Sequence, residues 1–226
     1  MIDQVFIQMF QKERQGDAMR RNLPRAPSLI LLMGVAGSGK STLAQNILRR
    51  VRAVYLDNNH IVDAFYPGTR SGRPYEKLRP HFYRVLYTIA EENLKLGNSV
   101  LLDVPHVKEI QSSEWRGFIK SLAARAKAKI IVIRCLCSER TLQARLVHRG
   151  KKRDRQKLVH WKEFLKEQPI NMNLALPHLN VDTEKNLASN VRVAIRYIWD
   201  RQRSVSSHSG GRGAKGQTSR VEVSAV

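Results

Sequence analysis

Cysteine is scarce in this chain: among 226 residues only Cys135 and Cys137 occur, both inside the run KIIVIRCLC. The run reads as a strand, so positions i and i+2 share one face, and nearby sequence offers no second pair of ligands to complete a tetrahedral metal site. Two buried free thiols are the expectation. With no disulfide framework, a reducing cytoplasmic setting follows. Long apolar runs are missing too: no window approaches the roughly 18 residues of a membrane span. The opening stretch MIDQVFIQMFQKERQ lacks a basic residue ahead of its apolar positions and a small-residue cleavage site after them, so no signal peptide is expected. No internal repeat is visible. Acidic residues are the last scarcity. Nineteen Asp and Glu stand against 40 Lys and Arg, a formal net charge of +21. Such an excess attracts polyanions, whether nucleic acid, nucleotides or an anionic surface, without choosing among them.

What is present alternates regularly. Residues 1–27 read as an extension, with Ile2, Val5, Phe6, Met9 and Phe10 at helical spacing before two prolines break the pattern. The continuous apolar run SLILLMG then predicts a strand covered on both faces. Helices are expected at about 40–51, 76–96, 111–126 and 186–201, and a basic helical stretch at about 138–168. Strands are expected at 53–57, 99–103, 129–137 and 179–183, with a loop around Pro67, Gly68, Gly72 and Pro74. Five apolar strands joined by helical crossovers give an α/β domain, residues 28–201, built on a parallel sheet. From 202 to 226 the Ser, Gly and Arg content and the lack of an apolar period predict a disordered tail. Its last residues, Ser224, Ala225 and Val226, meet a minimal pattern for carboxylate capture, which three residues satisfy by chance.

The stretch GVAGSGKST, Gly34–Val35–Ala36–Gly37–Ser38–Gly39–Lys40–Ser41–Thr42, satisfies G-x-x-x-x-G-K-[ST] between a hydrophobic strand and a helix. Glycines there let the backbone curl so that successive N–H groups face inward, and the helix starting near Lys40 adds its positive end. The pattern suits the phosphates of ATP, with Lys40 reaching the β and γ phosphates and the Ser41 hydroxyl coordinating Mg²⁺. SVLLD places Asp103 at the end of a neighbouring strand, as a second metal-side group or as a cap for the next helix. No N-K-x-D element, no D-x-x-G switch and no L-S-G-G-Q signature occurs. These absences disfavour a GTPase and a transporter-type ATPase.

Three segments carry a more specific resemblance. The Gly34–Thr42 strand and helix, YLDNNHIVDAF at 55–65 and SERTLQARLVHRGKKRD at 138–154 together resemble the P-loop kinases of the nucleoside monophosphate kinase-like group. Within it they are similar to polynucleotide 5′-kinase, chloramphenicol phosphotransferase, and gluconate and adenylylsulfate kinases. The resemblance covers about residues 28–201. It implies a P-loop NTPase fold with strand order 2-3-1-4-5, a helical basic lid, an ATP and Mg²⁺ requirement, and transfer of phosphate to a hydroxyl. It also implies that Arg145 and Arg149, four apart and so on one helix face, approach the nucleotide as an arginine clamp. Nine basic residues against two acidic ones between 145 and 166 agree with a segment that meets phosphate.

The resemblance breaks at L-D-x-D-x-x-R. Asn59 stands where relatives carry the aspartate that takes the acceptor proton, and Val62 replaces the arginine after it. An amide cannot take a proton. Asp57 at the strand end, or Asp63 or His60 in the following turn, takes over, or no strong base is needed because the transition state is loose. An ATP-binding protein that no longer transfers phosphate is the remaining reading. The following segment interleaves Arg70, Arg73, Lys77, Arg79 and Arg84 with Phe65, Tyr66, Tyr75, Phe82 and Tyr83. That mixture fits an acceptor with phosphate and a ring, and Asn59, Arg70 and Arg73 are the candidate acceptor contacts. Two acceptor classes therefore stand: a small metabolite or nucleotide-like molecule, and a nucleic-acid 5′ end. A nucleotide-dependent nucleic-acid-binding module stands beside them.

Overall fold

A computed structural model describes residues 26–66, 70 and 72–203. The expected amphipathic extension up to residue 25, the tail beyond 203 and the loop residues Pro67 and Gly68 lie outside the described residues.

Five strands form one parallel sheet in the order β2-β3-β1-β4-β5. They are β1 (Ser28–Met33), β2 (Val54–Asp57), β3 (Val100–Asp103), β4 (Lys129–Leu136) and β5 (His178–Asp182). Strand periodicity sorts the run SLILLM into two cores. Leu29, Leu31 and Met33 face α3 (Gly72–Lys95) and α4 (Ser113–Arg125) through Leu86, Ala90, Leu94, Ile119 and Leu122. Ile30 and Leu32 face α1 (Lys40–Leu48) and α8 (Leu187–Arg203) through Leu43, Ile47, Ala194 and Ile198. β1 thus buries both faces, which is why its sequence is apolar almost throughout rather than alternating. A third, smaller core of Val35, Val107, Leu142, Leu146 and Phe164 lies beneath the glycine-rich turn and the basic stretch.

Three local departures from the sequence reading have physical causes. The turn after β2 is a helix, α2 (Asn58–Phe65), because Asp57 caps it: its carboxylate accepts the Asn59 N–H at 2.8 Å. The helix expected from 76 begins at Gly72, since Pro74 fits a first helical turn that has no intrahelical N–H partner to lose; Pro80 lies within the same helix. The basic stretch 138–168 is broken into α5 (Glu139–Arg149), a 3₁₀ turn (Lys152–Asp154), α6 (Arg155–Val159) and α7 (Trp161–Glu167). Gly150, at φ 59°, ends α5 in the left-handed conformation that side chains disfavour. Arg134 then pins the returning chain to β4 by donating to the carbonyls of Ile170 and Met172. Both cysteines are free and buried, and burial pushes the Cys135 thiol up to about 12.

Gly34 is the tightest point of the fold. At φ 136° its Cα leaves no room for a side chain: a Cβ there would stand 2.5 Å from the Cys135 carbonyl oxygen. Its own N–H donates to the Pro105 carbonyl at 3.2 Å. Gly34→Ala is therefore expected to lower unfolding stability by at least about 2 kcal/mol, since backbone must move and a strained dihedral is imposed. Urea denaturation checks this, and an unchanged midpoint would contradict the packing.

Candidate active site

Parallel strands end together, and the ends of β1 and its two neighbours meet where the sheet order reverses, the crevice that binds ligands in open α/β sheets. Register sets Leu32 level with Asp103 and Asp103 level with Asp57, so the turn after β1 and both carboxylates share one edge. A cleft of about 750 Å³ opens there.

Its floor is the glycine-rich turn. Gly37 and Gly39 both have φ 86°, and a Cβ on Gly39 would come within 3.1 Å of the Thr183 side chain. The turn feeds directly into α1, whose first-turn amides have no acidic cap. Ala36, Gly37, Gly39, Lys40, Ser41 and Thr42 line the cleft. Lys40 is buried, with its ammonium on the Val35 carbonyl at 3.0 Å. Gly34, Val35 and Ser38 lie behind this surface, with Val35 and Ser38 almost fully buried.

Ser41 and Asp103 meet at 2.5 Å, the hydroxyl donating to Oδ2. Asp103 is 2% exposed, and its Oδ1 is buried with no partner among the described residues. Burial, with Asp57 nearby, raises its pKa against the opposing pull of Lys40, Ser41 and Tyr55. A buried carboxylate with a vacant oxygen beside a hydroxyl is a hard-oxygen donor pair of the kind Mg²⁺ takes. Tyr55, which the sequence reading passed over, donates to the same carboxylate oxygen at 3.0 Å, and burial with both carboxylates raises its own pKa. Tyr55 lies two residues before Asp57 on one strand face, and that spacing is the signal available in the sequence.

Asp57 is engaged. Its Oδ1 takes both the backbone and the side-chain N–H of Asn59 at 2.8 Å, its Oδ2 is 3.4 Å from the Tyr55 hydroxyl, and it is not among the residues lining the cleft. Asn59 and Arg70 do line it, joined by a 2.9 Å bond from the guanidinium to the Asn59 carbonyl oxygen. Arg73 is exposed on α3 and is not among the lining residues, His60 is exposed, and Phe82 is core.

The two arginines of α5 are differently held. Arg145 reaches across the glycine-rich turn to Thr183, donating to its hydroxyl at 2.8 Å and its carbonyl at 2.9 Å. The Thr183 hydroxyl in turn donates to Leu136, which ties Arg145 to the ends of β4 and β5. Arg149 donates twice to Oδ2 of Asp154, a carboxylate only 1% exposed. Burial would raise the Asp154 pKa, but Lys157 and Arg149 together outweigh it and hold the carboxyl below its ordinary value. Thr183 and Asp154 carried no signal in the sequence because each acts through a partner distant in the chain or beyond a helix break.

The loop after β3 is anchored by a buried histidine. His106 is fully buried with φ 53°, a left-handed value that histidine tolerates better than most side chains. Trp115 Nε1–H donates to the Tyr87 oxygen at 2.8 Å, and that hydroxyl shares a hydrogen bond with His106 Nε2, 2.6 Å away. Burial drives the His106 pKa down to about 3. A histidine at its ordinary value of about 6.5 when unfolded binds the proton more readily in that state, so the stability it contributes is complete above about 6.5 and is lost as pH falls toward 3. His106→Gln is expected to flatten the acid limb of stability in that window, read by urea unfolding at stepped pH. An equally steep limb would exclude this histidine as its source.

The AAA domain family model matches residues 29–168. No curated protein matches the chain by sequence. Among solved structures, a candidate kinase from Chloroflexus aurantiacus aligns at a TM-score of 0.61 and 21% identity, over 76% of this chain and 99% of that one. The Mycobacterium tuberculosis APS kinase CysC with AMPPNP and APS aligns at 0.54 and 18%, over 78% and 99%. Chaetomium thermophilum Kti12 in complex with ADP-AlF3 aligns at 0.55 and 19%, over 78% and 100%. At these identities the likeness is one of fold.

Proposed function

The chain belongs to the AAA domain family, and from that premise we propose that it is an ATP- and Mg²⁺-dependent phosphotransferase acting on the hydroxyl of a small metabolite or nucleotide-like acceptor. One observation carries the reading: the Ser41–Asp103 contact beside buried Lys40, at the mouth of a helix whose first amides are open. The complexes of two fold relatives with AMPPNP and with ADP-AlF3 support a donor site on this scaffold.

The inward amides of 37–42 hold the β phosphate, and Lys40 leaves the Val35 carbonyl for the bridging and γ oxygens. Ser41 and Asp103 would hold Mg²⁺, which would draw off charge from the phosphate oxygens. Arg145, fixed by Thr183, and Arg149, fixed by Asp154, face the triphosphate from the opposite wall as a clamp. Transfer breaks the bond from the γ phosphorus to the oxygen bridging to the β phosphate and makes one to the acceptor oxygen, whose proton departs late. Such a step needs no strong base. That fits a carboxylate of Asp57 occupied by Asn59, and an Asp63 occupied by two arginines. Asp57 acts here by fixing Asn59, and through it Arg70, at the acceptor end of the cleft.

The nucleic-acid 5′-hydroxyl reading rests on the +21 charge. Binding by backbone phosphates loses affinity steeply with salt, with a slope of about −0.7 per phosphate on single strands. Of the other cations in the cleft, Arg79, Lys108 and Lys157 are each bonded to a carboxylate, and this favours the small acceptor.

Lys40→Ala is expected to keep the fold and reduce transfer of labelled γ-phosphate by about 10²-fold or more. Undiminished turnover would refute the donor assignment. Asp103→Asn is expected to weaken Mg²⁺–ATP binding while sparing metal-free ATP, which calorimetry with and without magnesium separates.

A further inference from the structure

Two arginines from separate stretches of the chain converge on one carboxylate beside the cleft. Arg70 donates to Oδ1 of Asp63 at 2.5 Å, and Arg153 to Oδ2. The burial is the reverse of what a surface ion pair shows. The arginine side chains are 10% and 14% exposed, while the aspartate between them is 44% exposed. Burying a guanidinium is costly without a compensating charge, yet here the cations are built into the wall and the counter-ion stands in the opening. Arg70 is further fixed by Asn59, and its Nε is buried with no partner among the described residues.

The neighbouring group repeats the imbalance. Buried Asp154 serves both Arg149 and Lys157. Four cations thus share two carboxylates, leaving an excess of two positive charges. Lys157 registers it: burial lowers its pKa, and the like charges of Arg149 and Arg70 add to the effect against the pull of Asp154. Asp63 and Arg70 follow β2, at the edge beyond β3, whereas Arg149, Arg153 and Lys157 come from the segment after β4 that also carries Arg145, so the Arg153–Asp63 pair joins the two sides of the cleft. Tyr75 and Tyr83 line the same cleft.

We propose that the acceptor is an alcohol that carries its own phosphate-type oxyanion, and that Arg70 and Arg153 seat this oxyanion where the Asp63 carboxylate now lies. A carboxylate and a phosphate both offer two oxygens to a pair of guanidinium forks, so Asp63 occupies the position as an internal stand-in. The inference rests on the phosphotransfer reading for the hydroxyl's fate, and it stands apart from that reading in the binding it predicts.

The test uses the full chain saturated with Mg²⁺ and AMPPNP, into which inorganic phosphate, ribose 5-phosphate and ribose are titrated by calorimetry. Ribose 5-phosphate is expected to bind at least tenfold more tightly than ribose. Arg70→Gln and Arg153→Gln are each expected to erase most of that preference, and Asp63→Asn to strengthen phosphate binding threefold or more. Equal binding of the two sugars by the wild-type chain, or a preference indifferent to both arginines in variants with unaltered circular dichroism, overturns the proposal. Should Asp63→Asn not fold, the wild-type and arginine comparisons decide alone. AMPPNP binding in the same samples is the separate control: its loss in the wild type defeats the donor reading and leaves the anion seat standing on its own data. A 5′-hydroxyl oligonucleotide that displaces phosphate with a steep salt dependence would transfer these arginines to a polynucleotide and also overturn the proposal.

Discussion

Gly34 makes the site possible by having no side chain. The chain leaves β1 and must turn between the Cys135 carbonyl of β4 and the loop following β3, whose Pro105 carbonyl takes the Gly34 N–H. That single close approach draws three strand ends together. It puts the glycine-rich turn at the floor of the cleft, with Ser41 within 2.5 Å of Asp103 and Thr183 at the end of β5 beside Gly39. Two fully buried strand faces beneath it give the backbone no freedom to relax.

Above this frame the chemistry is electrostatic and economical in acids. With twice as many basic as acidic residues, nearly every carboxylate near the cleft has a defined duty. Asp103 faces Ser41 and Tyr55, Asp57 fixes Asn59, Asp154 orients Arg149 and Lys157, and Asp63 bridges Arg70 and Arg153. Buried carboxylates fix long cationic side chains in one rotamer, so the arginines are pre-organised rather than free to search. A net positive chain thereby keeps its charge directional.

Much of this was legible in the residues. The two-face strands, the strand order, the glycine-rich turn with Lys40 and Ser41, and Asp103 at a strand end all follow from local pattern or from the resemblance it carries. Less legible was anything decided by a distant partner. Asp57 reads equally as a base or as a cap, and only the placement of Asn59 decides that its oxygens are occupied. The basic run 138–168 reads as one helix because charge hides the break at Gly150. Tyr55 and Thr183 look like ordinary strand residues until β3 and α5 arrive beside them. Arg73 and Arg70 are indistinguishable by composition, and only the fold sends one outward and the other into the cleft.

The clasp of Arg134 on Ile170 and Met172 has a mechanical meaning. It bolts the far end of the cationic wall to the sheet, while α5 is seated at its near end by Leu142 and Leu146. Between these anchors the only left-handed joint is Gly150, among the described residues. The segment that carries Arg149 and Arg153 is thus held at both ends, and of its described residues Gly150 alone has a backbone that a side chain would strain.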